Sequence, residues 1–301
     1  MFNINFVMMK PLVIIIGVIL IIHLSVSAQV DSVKQEEKIY KKIGTCELKA
    51  DVFYPAPGRD NQNRPAIAFF HGGGWVYGSP DEFHNTCKRF ARKGFVAFSF
   101  QYRLSIMEDG THPHPDISPI ESVKDARSAM RWIRANAASL RIDPDKIVAG
   151  GQSAGGQLTL STALMDGIDE KTDNLDISPT PNAMLLYSSS VNMMEAWADY
   201  HMGDRREQIW TISPYHNLRK DMPPTIAFHG EDDCTVPLYA VRFFEDKMKS
   251  LGNPYELIIY QGRKHYLGAG SDQYSTYFDE EILERTDEFL IRFGFLKKEN
   301  D

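Results

Sequence analysis

The sequence predicts an α/β fold, a mostly parallel central sheet with helices on both faces. Three observations carry this. From residue 65 to residue 293, short apolar runs of strand length alternate with longer segments of helical periodicity, as repeated strand–helix–strand units do. Runs such as 65–70 and 183–187 are apolar throughout, as strands buried on both faces are. The 301 residues, 43% hydrophobic and 24% charged, suffice for one sizeable core, with no internal repeat or low-complexity linker to divide it.

Taken in order, the chain opens on a segment of a different kind. Lys10 precedes an unbroken apolar run over residues 12–22, then Val26-Ser27-Ala28 before Gln29. Charged start, apolar segment and small-residue cleavage site stand in the order of a secretory signal, and the run is short for a bilayer span. The expectation is a signal peptide over 1–28, export to the periplasm or medium, and no stable membrane insertion after cleavage. Gln29, where a lipoprotein needs cysteine, speaks against lipid anchoring.

Residues 29–44 are polar and charged and predict a loose lead-in to a domain over 45–301. Residues 45–54 alternate (Cys46, Leu48, Ala50, Val52, Tyr54 against Glu47, Lys49, Asp51), the pattern of a half-exposed strand. After a turn-rich loop, Pro65-Ala66-Ile67-Ala68-Phe69-Phe70 reads as a buried strand running into His71-Gly72-Gly73-Gly74-Trp75. A helix over 82–93, a strand over 95–100 and a long loop over 101–119 follow. Residues 120–138 have helical periodicity, with Val123, Ala126, Met130 and Ile133 inward. Asp143-Pro144-Asp145 turns the chain into the strand of Ile147 and Val148, and residues 158–164 read as a buried helix. Further strands are predicted at 183–187, 225–229 and 255–260, and helices at 238–251, ended by Gly252, and 274–293.

Ligand chemistry in such sheets collects at the carboxyl ends of the strands, and four strand ends here carry candidates. The first is His71-Gly72-Gly73-Gly74-Trp75, whose bare backbone can aim N–H groups at an anionic oxygen. It matches neither a P-loop nor Gly-x-Gly-x-x-Gly, so no nucleotide cofactor is expected. The second is Gly151-Gln152-Ser153-Ala154-Gly155. A strand reversing sharply into a helix needs glycine on both sides of the turn, which leaves Ser153 on a strained elbow with its hydroxyl above the sheet. Alone this pattern is weak, arising by chance in about one chain of this length in ten. The third is His229-Gly230-Glu231-Asp232-Asp233-Cys234, where Asp232 or Asp233 can fix the tautomer of an imidazole. The fourth is Gly262-Arg263-Lys264-His265-Tyr266, where His265 can reach across the sheet top to Ser153. Each also has a plain reading, a glycine turn, a small buried residue or an ordinary loop acid. The order donor loop, Ser, Asp, His makes the set specific, being that of α/β-hydrolases.

The remaining candidates are weaker. His112-Pro113-His114 could hold a metal, but no third ligand is placed, and no metal is expected. Cys46, Cys87 and Cys234 form no metal pattern; one pair could be bridged in an exported protein, but spacing does not say which. The net charge of −7 gives no electrostatic reason to expect nucleic acid. Residues 188–222 carry Met193, Met194, Trp197, Tyr200, Trp210 and Tyr215 above the sheet. They and Trp75 are candidate pocket residues, or apolar packing for the insertion and brace for the glycine loop.

From about Cys46 to Phe295 the chain resembles the α/β-hydrolase superfamily, and within it small exported carboxylesterases with a His-Gly-Gly-Gly-Trp loop, such as acetyl xylan and feruloyl esterases. Gln101-Tyr102-Arg103-Leu104, Asp143-Pro144-Asp145-Lys146-Ile147 and His229-Gly230-x-x-Asp233-x-x-Val236-Pro237 match as well. The resemblance implies Ser153 as nucleophile, His265 as base and Asp233, rather than Asp232, as its orienter. It implies an oxyanion hole from the N–H groups of Gly73, Gly74 and Ala154, no cofactor, and a small-molecule or polysaccharide ester as substrate. Two departures stand out. The residues before His71 leave no room for a large N-terminal cap, and the elbow carries Gln152 where related lipases often have aspartate. The rivals are a prolyl-oligopeptidase-like serine peptidase, a lipid esterase, and a non-catalytic binding protein on the same scaffold.

Overall fold

The apolar runs pair into one eight-stranded sheet in a computed structural model, which describes residues 33–56, 63–194, 196–267 and 278–298. The strands are β1 Lys34–Ile43, β2 Cys46–Tyr54, β3 Arg64–Phe70, β4 Val96–Phe100, β5 Ile142–Gln152, β6 Ala183–Tyr187, β7 Thr225–Gly230 and β8 Tyr255–Tyr260. Their order in space is β1-β2-β4-β3-β5-β6-β7-β8. β2 pairs antiparallel with β1 and β4, and every pairing from β4 across to β8 is parallel. The predicted signal peptide and residues 274–277 of the predicted last helix lie outside the described residues.

The helices are α1 His84–Arg92, α2 Pro119–Ala135, α3 Ala137–Leu140, α4 Ala154–Leu164, α5 Ala196–His201, α6 Pro214–Asn217, α7 Leu238–Ser250 and α8 Glu280–Arg292. Alternate residues of each strand feed two cores. Ala66, Ala68 and Phe70 of β3 join Val123, Leu158 and Phe244 of α2, α4 and α7. Ile67 and Phe69 join Phe90 of α1 and Ile282 and Phe289 of α8 on the other face. α4 is buried at every position, as its small and apolar sequence requires. No helix among the described residues is long and apolar enough to cross a membrane.

The strand order fixes where a ligand can sit. From β3 the chain crosses through α1 to β4 on one side; from β5 it crosses through α4 to β6 on the other. The connections diverge above the carboxyl ends of β3 and β5 and leave a crevice between them.

The expected loose lead-in at 29–44, of which residues 29–32 lie outside the described residues, is corrected over Lys34–Ile43, which forms β1. Its sequence, KQEEKIYKKI, buries only Tyr40 and Lys41, so apolar periodicity could not reveal it. The strand is held by its ladder to β2 and by an ion cluster centred on the buried Asp125. Lys41 Nζ lies 2.7 Å from Asp125 Oδ1, and the Arg103 guanidinium donates to both Asp125 oxygens at 2.8 and 2.7 Å. Glu170 lies 3.1 Å from Lys41 and 2.9 Å from Arg103. A solvated edge rich in lysine is how sheets end without inviting another strand.

Candidate active site

β5 delivers Ser153 in a backbone conformation that L-residues rarely adopt, φ 53° and ψ −116°. The strain is imposed by close packing. A Cβ on Gly155 would lie 2.0 Å from the Phe70 carbonyl oxygen, and one on Gly151 2.3 Å from the Gly155 carbonyl. Only glycine permits this approach of strand and helix, as the elbow pattern predicts. Ser153 N–H donates to the Tyr187 carbonyl at 3.0 Å, and its own carbonyl accepts from the N–H groups of Gly156, Gln157 and Ser190 at 3.1 Å. The main chain is thus held from both sides while the side chain faces a cavity of about 400 Å³.

The loops after β7 and β8 bring Asp233 and His265 together. His265 Nδ1 lies 2.8 Å from Asp233 Oδ2. The carboxylate only accepts there, so Nδ1 carries the proton and Nε2 is left as the ring's basic nitrogen. The other Asp233 oxygen accepts from the Thr235 and Val236 N–H groups, each at 2.9 Å, which fixes the carboxylate. Asp232, exposed, uses its N–H to tie its loop to the Arg263 carbonyl at 2.9 Å. Of the two carboxylates, Asp233 is the one that meets His265. A second imidazole, His229, went unassigned by sequence reasoning. Its Nε2 donates to the Val236 carbonyl at 2.9 Å and lies 3.4 Å from Asp233 Oδ2. Burial lowers its pKa and keeps it neutral. Its signal was its place at the end of β7.

The glycine loop after β3 is shaped by Tyr102, whose hydroxyl shares its one proton between the carbonyls of His71 and Gly72, 3.0 Å from each. The Gly73 carbonyl accepts from Val76 and Tyr77 at 3.0 and 3.1 Å. In a trans peptide the following N–H points the other way, so these contacts turn the N–H groups of Gly73 and Gly74 away from the loop's own carbonyl partners. Gly72, Gly73 and Gly74 line the cavity with Ser153 and His265. A Cβ on Gly72 would come within 3.7 Å of the Ser153 Cβ. Ala154 is the first residue of α4, where an N–H has no intrahelical acceptor.

The pocket expectations fare differently. Trp75 is fully buried, and its indole N–H donates to Gln157 Oε1 at 3.1 Å. It braces the loop against α4 and does not line the cavity. Trp210 is 55% exposed and also lies off the cavity; the side chain of Trp197 is outside the described residues. The walls come instead from Val76, Tyr77, Glu82, His201, Thr235 and Tyr266. Burial raises the Glu82 pKa. Cys46, Cys87 and Cys234 are all free thiols. His112 is paired with Asp109 at 2.7 Å, and His114 Nδ1 accepts from the Asp116 and Ile117 N–H groups at 3.0 and 3.1 Å. Both histidines serve their own loop.

A family model described as the alpha/beta hydrolase fold matches residues 67–268, and the chain belongs to that family. Among solved structures it is similar to Thermogutta terrifontis esterase 2 phosphorylated by paraoxon, with 36% identity over 88% of this chain and 96% of that one and a TM-score of 0.77. The propionate-bound form of that esterase is 35% identical over the same shares, TM-score 0.77. Among curated proteins, the "Probable isoprenylcysteine alpha-carbonyl methylesterase ICMEL1" of Arabidopsis thaliana is 24% identical over 231 residues, 69% of this chain and 47% of its own length. Carboxylesterase NlhH of Mycobacterium tuberculosis is 34% identical over 126 residues, 41% of this chain and 36% of its own. The chain thus spans less than half the length of these curated relatives.

Proposed function

We propose that this protein is a serine carboxylesterase that hydrolyses short acyl or aryl esters, with carbohydrate as the alcohol, through an acyl-enzyme. The observation that carries the reading is His265 held by Asp233 at 2.8 Å on the same cavity as the strained Ser153. Ser153 Oγ attacks the ester carbonyl while His265 Nε2 takes its proton, and the Asp233 carboxylate steadies the imidazolium. The N–H groups of Gly73, Gly74 and Ala154 meet the oxyanion, often the largest single catalytic contribution. His265 then protonates the departing alcohol, and water repeats the sequence to free the acid.

Short acyl groups are supported by the esterase from Thermogutta terrifontis, solved with propionate and with butyrate bound, and by a cavity near the small end of ligand sites. Paraoxon tests the nucleophile directly. It should add one diethylphosphoryl group at Ser153, seen by peptide mass spectrometry, with loss of 4-nitrophenyl acetate hydrolysis. A folded protein that took no label would favour a binding role on this scaffold. Turnover of a proline peptide without cleavage of acetyl esters would favour the peptidase. We further propose export through residues 1–28, for which the first residue of the mature chain, expected at Gln29, is the measurement.

A further inference from the structure

Six buried side-chain polar atoms find no hydrogen-bond partner among the described residues: Gln152 Oε1, His201 Nδ1 and the hydroxyl oxygens of Ser188, Ser189, Tyr255 and Tyr260. Such atoms are costly to maintain, and each calls for an explanation. Only Gln152 and His201 among these residues line the cavity over Ser153. Gln152 is the last residue of β5, 2% exposed, with its main chain fixed beside Tyr187 of β6. His201 closes α5 and reaches the cavity from the insertion. Neither has a part in the proposed chemistry.

What they can bind follows from their chemistry. A side-chain amide offers both a donor and an acceptor, and so does a neutral imidazole. Burial lowers the pKa of His201, which keeps the ring neutral. Two neutral groups of this kind match hydroxyls, which also donate and accept; they supply no counter-charge for an ion, and an alkyl chain would leave both unpaired. A short acyl group has no hydroxyl to offer, so the hydroxyls belong to the alcohol.

We propose that Gln152 and His201 are specificity-determining residues that hydrogen-bond hydroxyls of the alcohol portion, so that esters of polyols are selected over esters of alkanols. The inference rests on the ester hydrolysis proposed for Ser153. Glycerol monoacetate and n-propyl acetate form the test pair, sharing acetyl group and three-carbon skeleton and differing in two hydroxyls. Acid release in a pH-stat should give the wild type a kcat/KM at least about tenfold higher for glycerol monoacetate. Gln152→Leu and His201→Phe should each shrink that ratio about tenfold, mainly through KM for the glycerol ester. A structural defect would lower both esters together and leave the ratio standing. Gln152→Met, closer in shape, serves if the leucine variant is insoluble, and His201→Phe reads out the pair independently. A wild-type ratio near one, or a ratio unmoved by these substitutions, overturns the inference while leaving the esterase reading intact. Hydrolysis of neither ester, with no paraoxon label, removes the esterase reading and this inference with it.

Discussion

Asp232 and Asp233 are adjacent residues of one type, yet only Asp233 reaches His265, because the Thr235 and Val236 N–H groups turn its carboxylate inward while Asp232 stays at the surface. Asp233→Asn should therefore lower kcat on the order of ten-thousand-fold by disturbing the tautomer of His265, whereas Asp232→Asn should stay within about threefold of wild type. Steady-state hydrolysis of 4-nitrophenyl acetate reads both, and the reverse pattern would move the role to Asp232. Ser153→Ala should cost about a millionfold in kcat, the loss found when a triad nucleophile is removed. Wild-type turnover by the purified alanine variant would end the nucleophile assignment.

At the scale of elements, the site depends on how closely strand ends approach helices and loops. Gly155 packs against β3 so tightly that a methyl group would sit 2.0 Å from a carbonyl oxygen. Overpacking of this kind costs roughly 1–3 kcal/mol or more, so Gly155→Ala should lower the thermal midpoint by several degrees and reduce activity even where the protein remains folded. A midpoint equal to wild type would show that the elbow has slack. The cluster of Lys41, Arg103, Asp125 and Glu170 ties β1 and the loop after β4 to α2. Asp125→Ala leaves the buried Lys41 and the half-buried Arg103 short of a counter-charge and should cost about 3 kcal/mol, seen as a lower urea midpoint. An unchanged midpoint would make β1 an ornament of the sheet.

For the molecule as a whole, acid should be destabilising in two steps. Burial holds the His71 pKa down at about 4 and lowers those of His229, His201 and His216. Between pH 6.5 and 4 the unfolded chain binds protons that these folded imidazoles refuse, so stability falls as pH drops through that window. For His71 alone the loss is on the order of 3 kcal/mol. Burial pushes the Glu121 carboxyl up, but the Arg205 guanidinium and the Ser118 N–H outweigh it and hold the pKa at about 2. Its contribution is lost as pH falls from about 4.5 towards 2. Urea midpoints taken across pH should resolve the upper step, and His71→Asn should flatten it; an upper step of unaltered slope would remove His71 as its source.

Local rules made much of this chain legible in its sequence. Short, largely apolar runs marked β3 to β8, and Gly151 and Gly155 on either side of Ser153 betrayed the elbow, because a collision between a Cβ and neighbouring backbone depends on few residues. The order of candidates along the chain pointed to Ser153, Asp233 and His265 for the same reason, each being attached to one strand end. What depended on distant segments meeting was decided only by the tertiary structure. β1 stayed hidden because its hold comes mainly from a ladder and an ion cluster spanning Lys41 to Glu170, with Tyr40 its one core residue. Trp75 faces the core and not the site because Gln157, 82 positions away, accepts its N–H. The cavity walls, with Gln152 and His201 among them, are set by the divergence of chain crossings above β3 and β5, a property of strand order that no single stretch of sequence contains.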